Sequence, residues 1–201
     1  TKSKLLAIVA NVRGANDAME HEAIDYIGFP FSISEEFQKR NTKKSIDESL
    51  IHVESIQNKC IQHGKELVVY LSMAFGNPYG EHWSPEIAAK WSERLINDFG
   101  IKTLALSDTI GVSTPAIISP LFELLINEFP DTEIGAHLHT APNQWEEKLE
   151  SAYNAGCKRF DGALKGFGGC PMAEDELVGN MPTENLISFA ANKGIDLNLN
   201  K

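Results

Sequence analysis

The stretch TLALSDTIGVSTP, Thr103–Pro115, contains the pattern on which the fold depends. Its first six residues form a short apolar run that ends at Asp108, and a turn then leads to Thr114-Pro115. Threonine followed by proline is typical of a helix start, because threonine can cap the first turn and proline suits the first helical position. The stretch therefore predicts a strand, a turn and a helix.

The same unit recurs along the sequence of 201 residues. Ser84-Pro85 repeats the helix start, Asn143–Glu146 (NQWE) is a looser version of it, and Ser45–Glu48 (SIDE) is a capping box. Six apolar runs are predicted as strands: Leu5–Ala10, Ala23–Phe29, Glu66–Phe75, Thr103–Asp108, Glu133–Thr140 and Arg159–Leu164. Strands that alternate with helices predict a parallel sheet with the helices packed outside it.

Two α/β architectures fit this alternation, a doubly wound open sheet and most of an eight-stranded barrel. The first strand is not followed by G-x-G-x-x-G, so the dinucleotide-binding open sheet lacks its fingerprint. Polar side chains cluster where the strands end, as they do at the active face of a barrel. We therefore expect one domain over residues 1–201, a TIM (β/α)8 barrel with two strand–helix units not accounted for.

Composition narrows the classes of function. The formal net charge of −10 argues against nucleic acid or an anionic membrane as the general partner. No apolar run approaches the length of a membrane-spanning helix. The three cysteines, Cys60, Cys157 and Cys170, are scattered and form no C-x-x-C motif. This pattern favours a reduced, cytoplasmic protein over a disulfide scaffold or a structural zinc site.

Two histidines stand two residues apart on a predicted strand, in His137-Leu-His139. Side chains at this spacing face the same side of a strand, so the two imidazoles point together. Paired neutral imidazoles suit a divalent metal ion. The alternative is that both are polar residues at a strand end that only satisfy their neighbours.

Three further residues carry candidate chemistry, each with an ordinary alternative. Asp108 could orient a metal ligand or handle a proton, or it could bond backbone amides in its turn. Asn180 could supply an amide oxygen to Mg²⁺ or Mn²⁺, or it could occupy a left-handed turn position. Cys170, flanked by glycines and a proline, could be a reactive thiol on a mobile loop or an unremarkable loop cysteine.

Four segments, in order, resemble signatures of the hydroxymethylglutaryl-CoA lyase family of metal-dependent TIM-barrel enzymes. Gly166–Ala173 (GFGGCPMA) resembles the family's cysteine loop, G-L-G-G-C-P-Y-A, and Leu106–Pro115 (LSDTIGVSTP) is similar to its L-G-D-T-I-G-V-G-T-P. His137–His139 corresponds to its metal-binding H-x-H, and Gly179–Glu184 (GNMPTE) to its G-N-x-x-T-E.

This resemblance implies a retro-Claisen cleavage of the acyl-CoA substrate 3-hydroxy-3-methylglutaryl-CoA to acetyl-CoA and acetoacetate. By the same resemblance, His137, His139 and Asn180 bind a divalent cation, Mg²⁺ or Mn²⁺. Asp108 and His137 take part in catalysis, and Cys170 is the catalytic loop thiol. The resemblance leaves open whether the protein is a homo-oligomer.

The sequence also departs from the family. The Arg-Asp pair that ends the family's first strand has no counterpart, so we expect the first two strand–helix units to be missing. Thr140-Ala141 replaces the usual Asp-Thr, and Met172 replaces tyrosine. Three interpretations stay open: a lyase whose native form has these units, an impaired partial barrel that needs a missing segment or a partner, and an acyl-CoA condensing synthase of the same superfamily. The cysteine loop speaks against the third.

Overall fold

The computed structural model describes residues 3–169 and 178–199. Its strands are β1 (Leu5–Ile8), β2 (Ile24–Ser32), β3 (Glu66–Ser72), β4 (Thr103–Asp108), β5 (Glu133–Thr140), β6 (Arg159–Phe160) and β7 (Gly179–Asn180). Its helices are α1 (Val12–Met19), α2 (Glu35–Thr42), α3 (Ile46–His63), α4 (Pro85–Phe99), α5 (Pro115–Glu128), α6 (Trp145–Asn154) and α7 (Thr183–Asn192). A single 3₁₀ turn covers Leu164–Gly166.

The six strands β1 to β6 form one parallel sheet in which chain order and spatial order are the same. A doubly wound sheet would reverse its strand order at a switch point, and this sheet does not. The sheet curls into a half-barrel with its helices outside, which confirms the predicted partial (β/α)8 architecture. The short strand β7 pairs antiparallel with β5 and places Asn180 opposite His139.

The two faces of the sheet differ in what they bury. Along β3, Leu67, Val69 and Leu71 belong to the large core that lies between the sheet and the helices. The alternate residues Val68 and Tyr70 belong to a second, smaller cluster on the opposite face. That second face is the interior of the half-barrel, and it is the face on which the site lies.

Local helix signals in the sequence were largely correct. Ser45 forms the capping box with Glu48, and the Ser84 side chain caps α4, which begins at Pro85. The looser signal at residues 143–146 correctly predicted a helix start but not a cap, because α6 begins at Trp145 without a side-chain capping bond. Thr114 also makes no capping hydrogen bond, although Pro115 does begin α5.

Four of the six predicted strands have limits that differ from the prediction. Strand β1 ends at Ile8, two residues before Ala10, and β2 starts at Ile24 instead of Ala23. Strand β2 continues through Pro30, because Phe31 and Ser32 still pair with the end of β3. Strand β3 stops at Ser72, since the next residue, Met73, has a positive φ of 62°. Strand β6 is only two residues long, because Ala163 turns away from the sheet to bond the carbonyl of residue 181.

The buried cysteines of the described chain are packing residues. Cys60 and Cys157 are fully buried and free. Burial raises the pKa of the Cys60 thiol to about 11 and that of Cys157 to about 12. Neither thiol is therefore suited to nucleophilic chemistry near neutral pH. None of the helices in the described ranges is long and apolar enough to cross a membrane.

Candidate active site

A cavity of about 290 Å³ opens at the carboxyl ends of the strands. Its walls come from the ends of β1 to β5 and from β7, and they include His137, His139, Asn180 and Gly169. Parallel strands bring their carboxyl ends to one edge, so residues distant in sequence meet there. The predicted metal ligands therefore line a single cavity.

The two histidines point into this cavity together, as their spacing predicted. On β5, Ile134, Ala136 and Leu138 pack in the outer core, which leaves His137 and His139 on the interior face. Their ring centroids are 5.4 Å apart. Tyr70 meets the His137 ring edge to face with centroids 5.4 Å apart, and so supports it from the side.

His139 is held as a neutral imidazole. Its side chain is buried, and burial together with the neighbouring His137 lowers the pKa of His139 to about 4. The Nδ1 atoms of both rings are buried and have no hydrogen-bond partner in the described part of the chain. A neutral imidazole with an unpartnered nitrogen, as at His139, is the state that a divalent metal ion requires.

Asn180 faces His139 across the β5–β7 pair. Its Nδ2 donates to the Phe167 carbonyl at 3.0 Å, which orients the amide and leaves its oxygen for another partner. Asn180 has no left-handed φ, so the turn alternative does not describe it. Two imidazoles and an amide oxygen fit a divalent cation as a partial ligand set. The described residues contain no group of three or more His, Cys, Asp or Glu that could hold a metal ion by themselves.

The loop that leads to Cys170 packs tightly against β7. Gly166 and Gly168 have positive φ values of 68° and 84°. A Cβ atom on Gly166 would lie 2.8 Å from the carbonyl oxygen of Asn180, so only glycine fits this approach. Cys170 itself lies outside the described residues, but its neighbour Gly169 lines the cavity.

Asp161 is a neighbour of the site that sequence reasoning did not select. Its Oδ2 lies 3.5 Å from Nδ1 of His137, and its Oδ1 lies 4.0 Å from the Arg159 guanidinium. Carboxylates commonly orient histidine rings that bind metals, by accepting from the second ring nitrogen. The sequence signal was available, since Asp161 is the acidic residue within the run Arg159–Leu164, which was predicted as the last strand.

Asp108 ends β4 but faces away from the cavity. On that strand Leu104 and Leu106 belong to the outer core, and Asp108 continues their alternation, whereas Ser107 lines the cavity. The carboxylate of Asp108 is fully buried, and its Oδ2 accepts from Lys148 Nζ at 2.8 Å and from the Ser113 amide at 3.1 Å. Its Oδ1 has no hydrogen-bond partner among the described residues.

Lys148 is the second residue that sequence reasoning missed. It lies on α6, and its side chain is 1% exposed. Its ammonium group donates to Asp108, to the Gly111 carbonyl at 3.0 Å and to the His139 carbonyl at 2.9 Å. The available signal was its place on the buried face of α6, beside Leu149 and one turn before Ala152.

The curled parallel sheet and the polar cavity at its carboxyl edge place the chain in the class of α/β-barrel enzymes. Comparisons with known proteins identify the family. The family model described as HMGL-like matches residues 2–201. A hydroxymethylglutaryl-CoA lyase of Bacillus subtilis is 33% identical over 193 residues, which are 96% of this chain and 64% of that protein. The crystal structure of a B. subtilis HMG-CoA lyase matches with a TM-score of 0.87 and 33% identity, over 96% of this chain and 64% of that one.

The names of two other relatives mention a different substrate or a bound ligand. An (R)-citramalyl-CoA lyase of Chloroflexus aurantiacus is 29% identical over 192 residues, covering 96% of this chain and 60% of that protein. The structure of an HMG-CoA lyase from Acinetobacter baumannii in complex with coenzyme A and 3-methylmalate matches with a TM-score of 0.84 and 25% identity, over 95% of this chain and 61% of that one. The chain thus spans a little under two thirds of these proteins. It belongs to the HMGL-like family, within the DRE-TIM metallolyase superfamily.

Proposed function

We propose that this chain acts as a metal-dependent carbon–carbon lyase that cleaves 3-hydroxy-3-methylglutaryl-CoA to acetyl-CoA and acetoacetate. The main support is that His137, His139 and Asn180 line one cavity at the carboxyl ends of the strands, in a chain of the HMGL-like family. The relatives that it matches are named lyases, which favours this reaction over a condensing synthase.

A divalent cation fits the residues present, because Nδ1 of His139 has no partner among the described residues and the Asn180 amide is already oriented. Nδ1 of His137 faces Asp161, which leaves the other ring nitrogen of His137 for the ion. His137, His139 and Asn180 would hold it, and we propose Mg²⁺ or Mn²⁺ because an amide oxygen suits these hard ions. When bound, such an ion supplies Lewis-acid polarisation of the substrate's hydroxyl and carboxylate oxygens. Asp161 keeps the His137 ring in position for that role.

The chain's own residues must then assist the cleavage of one bond and the transfer of two protons. The C3 hydroxyl loses its proton, the C2–C3 bond breaks with its electron pair moving to C2, and the resulting enolate takes a proton at C2. We assign the protonation at C2 to the thiol of Cys170, which follows cavity-lining Gly169. Acid–base roles for His137 and for Asp108 stay predictions. Asp108 could act only through Oδ1, because its Oδ2 is bound by Lys148 and Ser113.

A second candidate substrate is citramalyl-CoA, whose lyase is among the relatives. Citramalyl-CoA and 3-hydroxy-3-methylglutaryl-CoA share a tertiary hydroxyl on C3, a methyl group and a nearby carboxylate. The same steps would release pyruvate in place of acetoacetate. The ligand 3-methylmalate, bound by the A. baumannii relative, carries a similar hydroxy-acid arrangement.

The deciding experiment measures acetoacetate and pyruvate release from the two thioesters, with Mg²⁺ or Mn²⁺ and then with a chelator. Mn²⁺ binding is measured on the same samples by electron paramagnetic resonance. We expect metal-dependent release, which His139→Gln abolishes. The matched control is His63→Gln, which changes an exposed histidine at the end of α3 and should leave release unchanged.

The outcomes separate the interpretations. Mn²⁺ binding without release of either product would favour the impaired partial barrel over the working lyase. A folded chain that neither binds Mn²⁺ nor releases a product would contradict the proposal as a whole.

A further inference from the structure

Lys148 makes more contacts than are needed to balance the charge of Asp108. An ammonium group has three hydrogens, and here they are directed at Asp108 Oδ2, the Gly111 carbonyl and the His139 carbonyl, at 2.8, 3.0 and 2.9 Å. With a side chain only 1% exposed, Lys148 has little access to water as an alternative partner. Its hydrogen bonds therefore join three separate points of the backbone and side chains inside the protein.

Two of these points lie beside the proposed metal ligands. The His139 carbonyl lies at the end of β5, and the His139 side chain is a proposed metal ligand. Gly111 lies in the turn after β4, where a Cβ atom would overlap the side chain of Val178. Val178 directly precedes β7, which carries the other proposed ligand, Asn180. The Lys148 ammonium group thus bonds the strand that carries His139 and a turn that packs beside the strand that carries Asn180.

We propose that Lys148 is a positioning residue of the candidate metal site, which fixes the end of β5 to the turn after β4. The inference rests on the proposed function, since it assumes that His139 and Asn180 bind the cation. Lys148 does not touch the cavity, so its effect passes through the backbone of His139 and of Gly111. The two carbonyl bonds also satisfy the remaining hydrogens of a buried ammonium group, so substitution is needed to separate positioning from charge neutralisation.

Three variants separate the two roles. Lys148→Met removes the charge and all three hydrogen bonds at similar volume. Asp108→Asn keeps both carbonyl bonds of Lys148 and removes only the opposite charge. The double variant removes both charges, so no buried charge is left unpaired and the chain can fold without the ammonium group. Lys193→Met is the matched control, since it breaks a partly exposed pair with Glu150 on the other side of α6.

The measurement is the Mn²⁺ dissociation constant of each folded variant, by electron paramagnetic resonance at one pH. Loss of a group that orients metal ligands typically weakens binding about 10–100-fold. We expect this loss in Lys148→Met and in the double variant, and less than about threefold change in Asp108→Asn and Lys193→Met. A folded double variant that binds Mn²⁺ like the wild type would overturn the proposal. An Asp108→Asn variant as weak as Lys148→Met would overturn it too, because the carboxylate would then be the important group.

A second readout does not need the metal. If the wild type binds no Mn²⁺, the proposed metal site fails, and amide hydrogen exchange of residues 138–140 decides on Lys148. If Lys148 positions this strand end, these amides should exchange at least about tenfold faster in the double variant than in Asp108→Asn. The reason is that loss of the hydrogen bond to the His139 carbonyl lowers the free energy of local opening at the end of β5. Equal exchange in the two variants would refute the positioning role.

Discussion

The buried pair of Lys148 and Asp108 predicts a large and unequal response to single and double substitution. The two side chains are 1% and 0% exposed, and Nζ lies 2.8 Å from Oδ2. Removal of one partner leaves an uncompensated buried charge, which typically costs about 3–5 kcal/mol. In Lys148→Met, the Asp108 carboxylate keeps only the bonds from Ser113, so we expect a loss of about 3–5 kcal/mol in the free energy of unfolding.

The double variant Lys148→Met/Asp108→Asn should be more stable than the single lysine variant. Both charges are absent, and the remaining polar group, an amide, can still accept from Ser113. Replacement of a whole buried pair by well-packed apolar residues is often neutral or even stabilising, and this double variant likewise leaves no buried charge unpaired. We therefore expect the second substitution to recover at least about 2 kcal/mol, which is the sign of a coupled pair.

The assay is urea unfolding followed by far-ultraviolet circular dichroism and by tryptophan fluorescence. For a chain of this size, a loss of about 1 kcal/mol lowers the melting temperature by roughly 2–4 °C, so the effect is easily resolved. Lys193→Met, at a partly exposed pair, should change stability by no more than about 1 kcal/mol. If Lys148→Met costs as little as Lys193→Met, or if the double variant is the least stable of all, the reasoning is refuted.

Three further predictions concern the site. The pKa of His139 is lowered to about 4 from 6.5, so the unfolded state binds more protons than the folded state between these pH values. The contribution of His139 to the free energy of unfolding should be fully present above pH 6.5 and should fall by about 3 kcal/mol as the pH falls to 4. Urea unfolding measures this loss, which should be absent in His139→Gln. Gly111→Ala meets a positive φ of 74° and an overlap with Val178, so it should lower the free energy of unfolding more than Gly80→Ala, which has φ 72° and open space. Asp161→Asn should weaken Mn²⁺ binding about 10–100-fold at unchanged fold, by titration calorimetry.

Each of these predictions has its own control. His63→Gln changes a histidine on an exposed helix end and is the matched histidine-to-glutamine control for the unfolding curves. Equal losses in Gly111→Ala and Gly80→Ala would mean that backbone strain alone matters and that the turn does not press on Val178. Glu133→Gln weakens only the outer ion pair of Arg159, so a loss of Mn²⁺ affinity equal to that of Asp161→Asn would disprove a specific role for Asp161.

The sequence by itself determined strands β1 to β6 and the order in which they alternate with helices, but not β7. Capping residues such as Ser45 act on the turn that they begin, and alternation along β5 depends only on neighbouring residues. For the same local reason, the common direction of His137 and His139 was readable from two positions. The strand order could be expected as well, because repeated strand–helix units wind in one sense.

Only the tertiary structure decided which distant residues meet these two histidines. Asn180 is placed opposite His139 by the antiparallel pairing of β7, and a pairing of two-residue strands has no periodic signal in the sequence. Lys148 and Asp108 are 40 residues apart, and their contact depends on how α6 packs on the outer face of the sheet. Local pattern predicts where a side chain points, whereas its partner is set by the packing of elements that are far apart in the chain.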